Sequence, residues 1–349
     1  MSSYQHEIVL VIMFMNIRNR NNFDVLRFFA AVLVLFSHSF PLATVARNEP
    51  IALWTNGQTD GGKIAVSVFF ILSGFLITAS WNGKRNIREF LIARTRRIFP
   101  GLAVMLVVTT IFGAFVTSSA SVDYWYSALE YFIKNLTIYK GKESIVGVFE
   151  FNPYGSVING SLWTLRHEFS CYLLIAFFGA IGYLRPFQTW VLWLICIFLV
   201  IYQPLHINFF KEFAPLGVWF ISGALAYFYK DVAIKLPGLL VGFITIICLF
   251  VSGFGLMAAS PVVAYLLIRL CYIPGVFSNF GKYGDFSYGI YIYAFPVQQF
   301  VVYLVTKSIL SPMDWWVVFG VSFPITFCFA VASWYLVEKR FLKRRVVLT

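Results

Sequence analysis

The chain has 349 residues, of which 60% are hydrophobic, 19% aromatic and only 12% charged. A soluble domain is about a quarter charged and about half apolar, so soluble enzymes, secreted disulfide scaffolds, disordered chains and coiled coils are excluded and a polytopic membrane protein remains. The formal charge of +12 does not require nucleic acid, because basic residues gather in cytoplasmic loops and fix membrane topology.

A membrane-crossing helix needs about 20 mostly apolar residues. Ten stretches qualify: 24–44, 63–81, 98–118, 161–183, 188–204, 213–229, 236–256, 261–277, 286–307 and 315–337. The eighth is short and contains Arg269. The expected fold is therefore all-α, with a transmembrane body over 24–337, a leader over 1–23 and a basic tail over 338–349. Within the leader, residues 8–15 form an apolar run too short to span. Either translation starts at Met15 or the run lies on the membrane surface.

Ten spans place both termini on one side, and Lys/Arg bias chooses it. One set of connections carries Arg18, Arg20, Lys84, Arg85, Arg88 and the Arg94–Arg97 cluster, then Arg185, Lys230, Lys235, Lys282 and the basic tail. The opposite set holds most acids, among them Asp60, Asp123, Glu130, Glu143, Glu150 and Asp314. Both termini are predicted to be cytoplasmic. The longest connection, 119–160, lies on the outer side and is rich in aromatics (Tyr124, Trp125, Tyr126, Tyr131, Phe132). It reads either as a lid over a cavity or as an interfacial aromatic belt. The five cysteines sit in apolar stretches, none within three residues of another, and read as small buried hydrophobes. No group of His and carboxylates has ligand spacing, so no metal is expected.

Ionisable groups inside spans are costly and mark sites. In the first span Arg27 and His38 are eleven residues apart, near three helical turns, so they share a face. Arg27 reads as a snorkelling anchor or a functional charge. His38 reads as a hydrogen-bonded core histidine or, in a closed apolar cavity, as a general base. Arg94, Arg96 and Arg97 crowd in front of Pro100. They are either a topology signal or a guanidinium fork for the phosphates of a donor such as a coenzyme A thioester. Glu168 and Tyr172 open the fourth span four residues apart and look the same way. That carboxylate could pair with an arginine, orient His38 or hydrogen-bond a sugar.

In this order the elements resemble the acyltransferase-3 family of bacterial membrane acyltransferases. The resemblance rests on Arg27 and His38, on VFFILSGFLIT (68–78), on the Arg94–Arg97 cluster before Ile98–Pro100 and on SLWTLRHE (161–168). FSYGIYIYAFPV (286–297) and VEKRF (337–341) complete the set, which covers about 24–345. It implies a cytoplasmic acyl-CoA donor, acetyl-CoA by default, and an acceptor such as a surface glycan or lipid-linked oligosaccharide. Carried over by motif, His38, Arg27 and Glu168 are the expected catalytic residues and Arg94 and Arg97 the expected donor-binding residues, with Arg96 joining them as part of the same cluster. Trp163, Tyr172 and Ser73 are candidate substrate-binding residues. The family's ninth-span Tyr-His-x-Pro is not matched, because Ala294 stands at the His position, so no role for that His carries over. The chain ends eight residues after Phe341, and no appended hydrolase-like domain is expected.

The expected protein is thus a multi-pass O-acyltransferase of the cell inner membrane that acetylates a surface polysaccharide such as lipopolysaccharide O-antigen. The competing class is a proton-coupled transporter or flippase of a glycan or lipid-linked substrate, which buried Arg, His and Glu would also suit. Against it stand the lack of an inverted repeat and of paired, Gly/Pro-broken spans.

Overall fold

The computed structural model describes residues 22–44, 49–202, 207–232, 242, 257–273, 275–307 and 314–342. Most of the described residues are helical, with no strand among them. In chain order the elements are α1 (Phe23–Ala43), α2 (Pro50–Trp54), α3 (Gly61–Lys84), α4 (Ile87–Gly113), α5 (Ser121–Leu136) and α6 (Trp163–Ala180). Then come α7 (Pro186–Tyr202), α8 (Asn208–Phe228), α9 (Ser260–Cys271), a 3-10 turn (Val276–Lys282) and α10 (Ser287–Lys307). The last run is α11 (Trp315–Ser333), a π segment (Trp334–Glu338) and α12 (Lys339–Phe341).

Five of these are long and apolar enough to cross a membrane: α1, α3, α4, α10 and the continuous run Trp315–Phe341. The chain is a multi-pass membrane protein. Three expectations from sequence need correction. α4 begins at Ile87, not near 98, because Asn86 caps it by accepting from the Glu89 amide at 3.1 Å. The arginine cluster is therefore helical and not part of a loop. The stretch 119–160, read only as a connection between spans, contains the helix α5. The stretch 261–277 gives only a 12-residue helix, with Arg269 in its last turn. The expected span 236–256 except residue 242, the apolar run 8–15, Met15, Cys248 and the end of the basic tail lie outside the described residues. Cys171, Cys196 and Cys271 are buried as expected, whereas Cys328 is exposed on α11.

The described chain divides into two compact units. The first takes Val68–Leu76 of α3, the residues up to Phe29, and Arg185–Asp285. Its centre is α8, buried continuously from Leu216 to Ala226. α3 crosses α8 backbone to backbone, because a Cβ at Gly74 would overlap the Phe220 carbonyl and one at Gly223 would overlap the Ile71 carbonyl. Small residues at such crossings let membrane helices approach closely, which explains the Ser-Gly-Phe run in the 68–78 stretch. Ser222 Oγ lies 2.8 Å from Ser260 Oγ, and Trp193 Nε1 donates to the same oxygen at 3.0 Å, tying α7, α8 and α9 together.

The second unit takes Ala30–Ser67, Ile77–Leu184 and Phe286 onward. α10 packs along α11, with Gly289 against Ala330. The segment 152–161 is pinned to α10 by side-chain amides. Asn152 Nδ2 donates to the Gln299 carbonyl at 2.9 Å, Gln299 Nε2 to the Val157 carbonyl at 2.6 Å, and Asn159 Nδ2 to the Ile292 carbonyl at 2.8 Å. These bonds satisfy amide groups that would be costly to bury alone.

Candidate active site

α1 is one unbroken helix, so Arg27 and His38 do sit three turns apart along it. Arg27 is not a bare snorkelling charge. Its Nη1 lies 2.7 Å from Oδ2 of Asp285, two residues before α10. His38 packs edge-on to the Phe295 ring, with centroids 5.3 Å apart at 77°. Phe295 also meets Tyr154 at 5.8 Å, and position 160 is glycine where a Cβ would stand 2.7 Å from that ring. The histidine thus has one aromatic ring against it, itself held by Tyr154 and the close approach of Gly160. Its Nδ1 is buried and has no hydrogen-bond partner among the described residues. One carboxylate acts on it electrostatically, Asp60, which caps α3 by accepting from the Lys63 amide at 2.8 Å.

The helix around His38 is clamped. Gln298 Nε2 donates to the Leu35 carbonyl and to Ser39 Oγ, each at 2.8 Å. Ser39 Oγ in turn donates to Leu35 O at 2.9 Å. Gln298 is fully buried, and its Oε1 has no partner among the described residues.

The arginine cluster divides by role. Arg96 is exposed. Arg94 lies over the Phe90 ring, 5.8 Å from its centroid. Arg97 turns inward: Nη1 is 3.4 Å from Glu338 Oε2, and the guanidinium stands 5.5 Å from the Tyr288 centroid. Glu338, at the end of the π segment, is 2% exposed and accepts from Ser333 Oγ at 2.9 Å. Tyr288 Oη donates to the Ile98 carbonyl at 2.7 Å, and a Cβ at Gly101 would press on its ring.

On α6, Glu168 accepts from Tyr172 Oη, as the four-residue spacing predicts. Its charge also reaches Tyr288 and Tyr291. Tyr291 Oη donates to Ser161 O at 2.9 Å and lies 2.6 Å from Thr164 Oγ1. Arg166 Nε donates to Nε2 of the fully buried His167 at 3.1 Å. Trp163 is 43% exposed, with its ring edge-on to His167 at 5.7 Å.

Within the second unit, then, Arg97, Glu338, Tyr288, Glu168 and Tyr172 form one polar assembly. His38 belongs to a separate setting with Phe295 and Gln298. Ser73 lies on the part of α3 that belongs to the first unit, beside the Gly74 crossing. Sequence reasoning passed over Asp285, Tyr288, Gln298 and Glu338. Each lies in or next to a stretch already singled out, but nothing in the sequence says which distant residue it meets. Among the described residues no group of three metal-ligating side chains occurs.

The family model for an acyltransferase domain matches residues 20–335. The class is therefore an integral-membrane acyltransferase, an enzyme and not a carrier. More particularly, the chain belongs to the acyltransferase-3 family. It is 28% identical over 339 residues to an O-acetyl transferase of Shigella phage Sf6, covering 93% of this chain and 96% of that protein. It is 27% identical over 373 residues to nodulation protein 10 of Rhizobium leguminosarum bv. viciae, covering 95% of each. A shorter match, 43% over 61 residues and 10% of that protein, is to the peptidoglycan O-acetyltransferase OatA of Listeria monocytogenes. No solved structure matches.

Proposed function

We propose that this protein works in the cell inner membrane, with both termini cytoplasmic, and transfers an acetyl group from cytoplasmic acetyl-CoA to a hydroxyl of a surface glycan such as lipopolysaccharide O-antigen or its lipid-linked precursor. The observation that carries the mechanism is the His38 imidazole, held by Phe295 and a clamped helix with Nδ1 unengaged among the described residues. A neutral imidazole with an open nitrogen is suited to take a proton near neutral pH. The names of the phage and Listeria relatives, an O-acetyl transferase and a peptidoglycan O-acetyltransferase, support acetyl as the group and a sugar polymer as the acceptor.

In this reading the glycan hydroxyl oxygen attacks the thioester carbonyl while His38 takes its proton. A C–O bond forms, the C–S bond breaks, and the proton passes to the departing coenzyme A thiolate. Arg94, Arg96 and Arg97 hold donor phosphates, the exposed Arg96 meeting them first. Arg27 fixes the donor or stabilises negative charge, with Asp285 setting its position. Glu168 orients the acceptor or an internal base, alongside Tyr172 and Trp163, and Ser73 contributes a substrate contact.

The test is purified protein in nanodiscs with radiolabelled acetyl-CoA, with and without crude surface polysaccharide. Saturable donor binding and label on glycan in wild type, with no label in His38→Ala, is the expected result. Wild-type transfer by a folded His38→Ala protein would remove His38 from the chemistry. Absence of binding to any acyl-CoA would remove the donor.

A further inference from the structure

α5 has three distinct sides. Tyr124, Ser127, Ala128, Tyr131 and Asn135 are buried against the protein. Tyr124 Oη donates to the Thr110 carbonyl, and its ring covers Gly113, so the helix is fixed at the C-terminal end of the membrane-crossing α4. Asp123, Glu130 and Lys134 occupy one flank. Glu130 pairs there with Lys134 at 2.5 Å and also with Lys142, so the flank carries little net charge.

The third side is apolar and open. Val122, Trp125, Tyr126, Leu129 and Ile133 fall within about 100° of arc on a helical wheel. Val122 is 79% exposed, Tyr126 77% and Leu129 58%. Near the end of α4 that Tyr124 covers, Val107, Ile111 and Phe115 are also apolar and exposed, and on a membrane-crossing helix such a surface faces lipid. An exposed apolar helix face of this width is unstable in water. A helix with one apolar face, one polar flank and Trp and Tyr at the boundary suits the plane of a membrane interface.

We propose that α5 is an in-plane membrane helix whose Val122–Ile133 stripe is covered by lipid acyl chains of the leaflet at the C-terminal end of α4. The occupant is bilayer lipid, not a second copy of the chain, because Tyr124 fixes α5 against the end of a helix whose own exposed apolar residues face the hydrocarbon. The helix thereby sets the depth of the connection that leads to the 152–161 segment held by α10, independently of which acceptor the enzyme uses.

The full-length protein in phospholipid nanodiscs tests this. Spin labels are placed one at a time at positions 123, 126, 129, 133 and 134 in a background with the native cysteines replaced by alanine. Collisions with oxygen and with a nickel chelate are then compared. Oxygen should dominate at 126, 129 and 133, and nickel at 123 and 134. Nickel access at 126, 129 and 133 would overturn the proposal in favour of water. Protection from both reagents there would overturn it in favour of a protein partner. A second readout keeps the native cysteines: the emission lost in Trp125→Phe should be quenched by lipids brominated on the acyl chain and shielded from acrylamide. The opposite pattern would sink the proposal even if a labelled variant misfolded.

Discussion

Arg97 and Glu338, 241 positions apart in the chain, form an ion pair with Nη1 3.4 Å from Oε2 and side chains only 15% and 2% exposed. Ser333 holds the other carboxylate oxygen at 2.9 Å and Tyr288 lies under the guanidinium. One consequence concerns stability. Removing either partner of a buried pair leaves the other charge uncompensated, at a cost of about 3–5 kcal/mol, whereas replacing both with apolar residues is often nearly neutral. Glu338→Leu and Arg97→Leu should therefore each lower the thermal midpoint in detergent, and the double variant should lie well above the sum of the two. Additive losses would mean that the pair is not coupled. Arg97→Leu should also weaken donor binding in both backgrounds, because in the proposed mechanism the arginine faces the donor phosphates.

Gly74 and Gly223 mark a single crossing seen from its two sides. A methyl at either position would run into a carbonyl oxygen, and backbone moves less easily than a side chain. Gly74→Ala and Gly223→Ala are each expected to cost at least the 1–3 kcal/mol typical of overpacking, about 2 kcal/mol or more. The double variant should cost less than the sum, since the first methyl already separates α3 from α8. An unchanged midpoint for Gly74→Ala would show that the two backbones do not touch.

Gln298 holds the turn that carries His38 from both ends. Gln298→Leu removes two hydrogen bonds, each contributing about 0.5–1.5 kcal/mol. It leaves the Ser39 hydroxyl bonded to Leu35. The expected result is a lower kcat with little change in KM for the donor, because the base is misplaced while the arginine cluster is untouched. His38→Ala should abolish transfer outright. Equal changes in kcat and KM for Gln298→Leu would point to general loosening of the fold instead.

Hydrogen bonds from Lys134 and then Lys142 hold the Glu130 carboxyl well below its ordinary value near 4.5, at about 2. A carboxylate depressed in this way stabilises the fold above about pH 4.5, and that contribution is lost as pH falls toward about 2. Proteolysis of the 121–146 segment should therefore quicken over that window in wild type. In Glu130→Gln the segment should already be cut at the faster rate at pH 6, with little further change on acidification. An unaltered pH profile in that variant would remove Glu130 as the source. The pair is exposed, so the effect should be modest and should shrink with added salt.

Much of the scaffold could be read directly from residues. The long apolar runs of α1, α3, α10 and α11 stand out by hydropathy alone, and the Arg27/His38 spacing places both on one helix whatever surrounds it. Hydropathy missed the start of α4 because its first three turns are polar (Arg88, Glu89, Arg94, Arg96, Arg97) yet capped and made of good helix formers. It missed α5 because a search for 20 apolar residues passes over a 16-residue helix that is apolar on one side only. The 3.6-residue period of Val122, Trp125, Tyr126, Leu129 and Ile133 was present to be counted. The partners of Arg27 and Arg97 were not legible in this sense. Asp285 and Glu338 lie 258 and 241 residues downstream, and one sequence carries no record of such a meeting.

The π segment Trp334–Glu338 gives the final run a phase as well as a length. One surplus residue in a helix turns everything beyond it by about 100°, so Glu338 faces inward while Lys339 and Arg340 are exposed. Deleting a single residue from 334–337 would leave a hydropathy plot of this region almost unchanged. It would nevertheless swing the carboxylate away from Arg97 and bring a neighbour of different chemistry into its place. A related chain one residue shorter here would need another acid, from another turn, to meet its arginine. In this helix the count of residues determines whether the Arg97–Glu338 pair can form as much as their identity does.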